Sequence, residues 1–262
     1  MIFTNTLSLV LALAPATLFA APTQVANSIF NLIPRQDLPK PVMDMLMKTN
    51  GLCDLSNVVL PVGMSSLLCF LHLTITNIVI APTPLPAISA GATLRHIAIG
   101  RGTQNYTCAS DSADVVPVAY GAKATLFNAT CDAARLNDNV LAQVTNLALK
   151  YTIPISKEAD QRTSGHHYFT DKKVPMFDLR TPESNYGYVQ ATPDTVKSAA
   201  PKDAELGSNG MGSVAWLKLN AVEGDYKDVY RVHTAGGQPP KNCAGQKSTF
   251  EVQYSAQYWF YA

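Results

Sequence analysis

Five histidines, His72, His96, His166, His167 and His233, are the side chains of this sequence that could move a proton or ligate a metal near neutral pH. His166 and His167 sit together in "GHHYF". Neighbours on a strand point to opposite faces, so this pair cannot chelate one ion. His167 can join His96 or His233 only where the fold brings them together. His167 is therefore the candidate catalytic residue, acting with a carboxylate that the sequence does not single out. Other chemistries lack their patterns. No G-x-S-x-G is present, and "GMGSV" puts Ser213 ahead of a strand, without a nucleophile elbow. A glycosidase needs two carboxylates across a groove. Asp171, Asp178, Glu183, Asp194, Glu223 and Asp225 are available, with no spacing that selects a pair. "EGDYKD" lacks the calcium-loop pattern and reads as a solvated hairpin turn. "GRGTQN" and "GSNGMG" run into strands where a dinucleotide site requires a helix. No C-x-x-C occurs. The expectation is no metal and no cofactor.

Aromatic residues offer binding instead of catalysis. Trp216 stands in "VAWLKL", and the chain ends in "QYWFYA". Tyr258 and Phe260 alternate with Trp259 and Tyr261, so both faces of the last strand are aromatic. One face belongs to the core. The other either lies under the N-terminal segment or meets a sugar or lipid. Trp216, His167 and Tyr258 are the candidate ligand-binding residues.

The elements that position these residues are short and β-rich. "ATLRHIAIG", "KATLFNAT", "HHYF", "YGYVQA", "SVAWLKLNAV", "DVYRVHTAG" and "FEVQYSAQYWFYA" carry β-branched and aromatic residues between Gly, Pro, Asn and Asp clusters. This pattern predicts a mainly β fold, an antiparallel sandwich or barrel with one or two peripheral helices. One helix is expected in "DAARLNDNVLAQVTNLALKY", where Leu136, Val140, Leu141, Val144 and Leu147 recur at helical spacing. A shorter one is expected in "PVMDMLMKTNG", between Pro41 and Gly51. Pro82, Pro84 and Pro86 mark a stiff linker.

The chain opens on an apolar run, Leu7 to Leu18, followed by small residues at Ala20 and Ala21. That is the form of a secretory signal peptide over residues 1–20. Residues 21–90 then form an N-terminal extension and Pro-rich linker, and 91–262 a β domain. Asn105-Tyr-Thr and Asn128-Ala-Thr are N-glycosylation acceptors. A net charge of +1 and no basic cluster give no basis for nucleic-acid binding. Five cysteines, Cys53, Cys69, Cys108, Cys131 and Cys243, are an odd number for an oxidising compartment.

The fifth cysteine falls in "PVGMSSLLCFLHLTITNIVIAPTPLP", which has no charged residue from Met64 to Ala81. A membrane span there would leave both acceptor asparagines and three cysteines in the cytosol, and no Lys or Arg cluster follows it. No stable span is expected. Its β-branched residues suit a buried strand. A retained intron fits better. Gly63-Met64-Ser65 can be encoded GGT-ATG-AGT with a GTATG donor, Thr76-Asn77 with a CTAAC branch sequence, and Ile80-Ala81 with a TAG acceptor. Splicing these ends is in frame and yields "VVLPVAPTPLPAISAG".

Several ordered motifs resemble one family: "GATLRHIAIGRGTQNYTC", "GHHYF" followed by "VPMFDL", "VAWLKL", "YRVHTAGGQPPKNC" and "VQYSAQYWFY". Together they resemble the domain-of-unknown-function family 3455, whose members are secreted fungal and exported bacterial proteins. The likeness runs from about Gly91 to Tyr261. Ala215 stands where bacterial relatives have proline. The resemblance implies pairing of Cys108 with Cys243, and of Cys53 with Cys131. Some members carry an automatic malate dehydrogenase label, which no motif here supports. Together these readings describe a secreted, disulfide-bonded, glycosylated β domain that binds a wall polysaccharide or a small apolar ligand. The alternative is a hydrolase using His167.

Overall fold

The computed structural model describes residues 53–61 and 81–262. The signal peptide expected over residues 1–20, the helix expected near Pro41 and the stretch from Met64 to Ile80 lie outside the described residues. Eight strands follow one another: β1 (Leu94–Thr107), β2 (Val118–Asn128), β3 (Thr163–Phe169), β4 (Pro175–Arg180), β5 (Asn185–Ser198), β6 (Trp216–Gly224), β7 (Asp228–Gly236) and β8 (Thr249–Tyr261). Each pairs antiparallel with the next, and β8 returns to pair with β1, closing a barrel. Closure leaves no unpaired edge among the described strands, the outcome that many short strands with hairpin turns favour.

Alternation along the strands creates two apolar layers. Inside the barrel pack Leu126, Phe177, Leu179, Leu219, Tyr258 and Phe260. Gly100 of β1 makes room there: a Cβ at this position would meet the Tyr258 ring at 2.6 Å. Outside, Ile97, Ile99, Trp216, Tyr230, Val232 and Trp259 form a second cluster with Val140, Leu141 and Val144. From Tyr254 to Tyr261 both faces of β8 are thus buried, one in the barrel and one beneath other elements.

Those covering elements come from the β2–β3 connection and the N-terminal side. The connection holds α1 (Thr130–Arg135), α2 (Asp138–Lys150) and α3 (Lys157–Asp160). The single helix expected from the spacing is broken. Leu136 is extended, and the Asn137 side chain caps α2 by accepting from the Val140 N–H at 3.0 Å. The apolar stripe of α2 then lies on the outer face of β7 and β8.

The Pro-rich linker is strapped to the barrel. Tyr230 Oη donates to the Pro86 carbonyl at 2.7 Å and Lys218 Nζ to the Ala87 carbonyl at 2.7 Å. Ser89 gives Asp228 two hydrogen bonds, from N–H at 2.6 Å and from Oγ at 2.8 Å. Lys218 and Asp228 form a buried ion pair at 3.1 Å, so each charge is both paired and hydrogen-bonded. The Ala81 N–H donates to the Pro61 carbonyl at 3.2 Å, which brings the two ends flanking residues 62–80 together. Sulfurs of Cys53 and Cys131 lie at disulfide distance, as do those of Cys108 and Cys243, with Cα separations of 4.8 and 5.8 Å. The first pair fastens the N-terminal segment to α1, and the second fastens the end of β1 to the loop before β8.

The hairpin "EGDYKD" is less solvated than its composition suggests. Tyr226 is buried against Phe260, and Asp228 is sealed beneath the strap. A charged sequence reads as solvated unless its partner, here Lys218, is known.

Candidate functional site

The three residues proposed from sequence occupy different layers. His167 and Tyr258 face the barrel interior with ring centroids 5.8 Å apart, while Trp216 lies in the outer layer beneath α2. His166, on the opposite face of β3, is exposed. The His167 ring stacks on Phe177 at 4.2 Å, and its Nδ1 lies 2.8 Å from the Met176 carbonyl. That carbonyl only accepts, so Nδ1 carries the proton. Burial holds the His167 pKa down to about 4, so the imidazole is neutral at pH 7. No hydrogen bond joins it to a carboxylate among the described residues. Tyr254 and Tyr258 share a 2.8 Å hydroxyl–hydroxyl bond, and burial raises the pKa of both. Filled in this way, the interior resembles a core more than a cavity.

His96 is separate again. It bonds Thr130 Oγ1 at 3.0 Å and Ser164 Oγ at 3.1 Å, and stacks on Tyr186 at 4.5 Å. Burial lowers its pKa to about 3. The fold therefore does not bring His167 to His96 or His233. Among the described residues no group of three or more His, Cys, Asp or Glu side chains could hold a metal.

Sequence reasoning did not single out the histidine that has a carboxylate partner. His233 Nε2 lies 2.9 Å from Asp138 Oδ1, and the ring is 4.8 Å from Trp216. Val229 of β7 faces inward, whereas Tyr230 and Val232 face outward. His233 should therefore point inward, but the β7–β8 register shifts between Val232 and Ala235. His233 takes φ +46°, and this bulge turns its ring out toward α2. The only sequence trace of this bulge is the "HTAGG" run.

An open groove lies on the outer face of β1, β2 and β3. It consists of two adjoining hollows of about 430 and 380 Å³ that share Lys123 and Tyr168. The first is walled by Ile153, His166, Glu251 and Gln253. The second is walled by Tyr120, Phe169, Asp171 and Lys173. Tyr168 and Tyr120 are 40% and 36% exposed, enough to present ring surface to a ligand. Lys173 Nζ stands 5.6 Å from the Tyr120 ring centroid, and Lys123 pairs with Glu251 at 3.1 Å. Asn105 also lines the second hollow, and Thr103 Oγ1 donates to its Oδ1 at 3.1 Å. Asn128, at the end of β2, donates from Nδ2 to Tyr186 Oη at 2.9 Å.

The fold is thus a closed, eight-stranded antiparallel barrel with one face covered by helices and a strap. A family model described as a protein of unknown function, DUF3455, matches residues 89–262, and the chain belongs to that family. No curated protein and no solved structure matches the chain. Every strand pair is antiparallel, so the described residues contain no parallel β-α-β unit of the kind a dinucleotide-binding dehydrogenase uses. No described helix is long and apolar enough to cross a membrane.

Proposed function

We propose that the chain is a secreted, glycosylated barrel protein that binds a wall polysaccharide along the groove across β1–β3. The apolar N-terminal run and the two cysteine pairs at disulfide distance support export. The observation that carries the binding reading is the continuity of the two hollows through Tyr168 and Lys123. An open groove made of two joined hollows suits a polymer. Tyrosine faces can stack on sugar rings, while Glu251, Gln253 and Asp171 can hydrogen-bond hydroxyls. A small apolar ligand would need an enclosed cavity, and the barrel interior is occupied by Phe177, Tyr258 and Phe260.

The test is a pull-down of protein recovered from culture medium on insoluble β-glucan, chitin, mannan and cellulose, before and after removal of N-glycans. Asn105 opens onto the groove, so a glycan there would share it. Retention on at least one polymer, stronger after deglycosylation, is the expected result. No retention in either form would overturn the reading.

A further inference from the structure

We propose that the cavity between α2, the 201–204 loop and the β7 bulge binds the hydroxyl-bearing end of a sugar or polyol. This partly open space of about 60 Å³ is lined by Trp216, His233, Thr234, Asn146 and Asp203. Several heavy atoms of a ligand fit there. It lies on a different part of the barrel from the groove, and its binding does not depend on polymer binding.

Two polar atoms select the ligand. Trp216 is 1% exposed, and its buried Nε1–H has no hydrogen-bonding partner among the described residues. The other tryptophan is satisfied: Trp259 Nε1 donates to Gln257 Oε1 at 3.0 Å. Buried indole N–H groups ordinarily find an acceptor, so the orphan at Trp216 marks a place for one. His233 supplies the complement. Its Nε2 lies against Asp138 Oδ1, an acceptor; in the neutral tautomer that donates there, Nδ1 keeps a lone pair for a donor. A hydroxyl both accepts and donates, so it matches this pair. A carboxylate would satisfy Trp216 but would face the lone pair of His233. The left-handed backbone at His233 and the β7 bulge bring the ring to the wall of this cavity.

The test is titration of the protein while following the two indole N–H resonances, assigned with the Trp259→Phe variant. The probes are glycerol, D-glucose, a soluble wall-polysaccharide fragment and acetate. The proposal expects a saturable shift of the Trp216 resonance with a hydroxylated probe, and none for Trp259. Glycerol or glucose would identify a free small ligand, and the fragment alone would identify a chain end. In Trp216→Phe, read through the His233 ring protons, affinity should fall by roughly fivefold to tenfold. A shift with acetate alone, equal shifts at both tryptophans, or no saturable shift with any probe would overturn it.

Discussion

His233 Nε2 is hydrogen-bonded to Asp138 Oδ1 at 2.9 Å, although the alternation of β7 would turn His233 into the barrel. One extra residue in β7 and a φ of +46° make the contact possible. The β7 bulge and the first turn of α2 are therefore fixed to each other. Residues that tolerate left-handed backbone should be least harmful at 233. His233→Asn should cost about 1–2 kcal/mol, chiefly the lost partner bond. His233→Val should cost about 1–2 kcal/mol more, because a β-branched residue is strained there. Urea unfolding of the two variants measures the difference, and equal stabilities would contradict a left-handed position.

The Lys218–Asp228 pair predicts a coupled loss. Asp228→Ala leaves a buried ammonium unpaired and should destabilise the barrel by about 3–5 kcal/mol. It also removes both hydrogen bonds from Ser89, so proteolysis between Ala81 and Ser89 should precede cleavage of the strands. Limited proteolysis with mass analysis checks this order.

Acid should weaken the fold through its buried imidazoles. Burial holds His167 at about 4 and His96 at about 3 in the folded state, against about 6.5 in the unfolded chain. Between these values the unfolded chain binds more protons, so stability is full above pH 6.5 and declines as pH falls toward 4. Each histidine contributes up to about 1.4 kcal/mol per pH unit across its window. His167→Phe should roughly halve the slope between pH 6 and pH 4.5, as read by denaturant midpoints.

The ends of the 62–80 segment meet where the Ala81 N–H donates to the Pro61 carbonyl. Deleting Gly63–Ile80 joins Val62 to Ala81, the product that splicing of a retained intron would give. This deletion should leave the melting temperature within about 2 °C, since it spares both cysteine pairs and the strap. A mature transcript that still encodes Met64 to Ile80 would remove the intron reading, whatever the stability.

Much of this architecture could be read from alternation. Tyr258 with Phe260, and Trp259 with Tyr261, put aromatic residues on both faces of the last strand and one face in the core. Alternation leaves the other face open between a covering segment and a ligand, and these four residues are all buried in β8. His166 and His167 diverge as any two strand neighbours must. What alternation could not show was closure into a barrel, which depends on β1 meeting β8 across most of the chain. Nor could it show the helix break at Asn137, where one local capping bond outweighs a continuous apolar period. The candidate site was less legible for the same reason. Trp216 and Tyr258 look alike as strand aromatics, yet lie on opposite sides of the barrel wall. Asp138 is distant in sequence from His233, and Tyr120 and Tyr168 become one groove only through β-sheet register.

The groove itself is tested most directly by the Tyr120→Ala/Tyr168→Ala double variant on the polymer that retains the wild type. Both rings are well exposed, so the double variant should lose little stability. With folding verified by circular dichroism, the measurement is the dissociation constant for that polymer in deglycosylated protein. Binding should weaken by about tenfold or more, corresponding to roughly 1.4 kcal/mol from two stacking platforms. An unchanged constant would contradict polysaccharide binding along β1–β3.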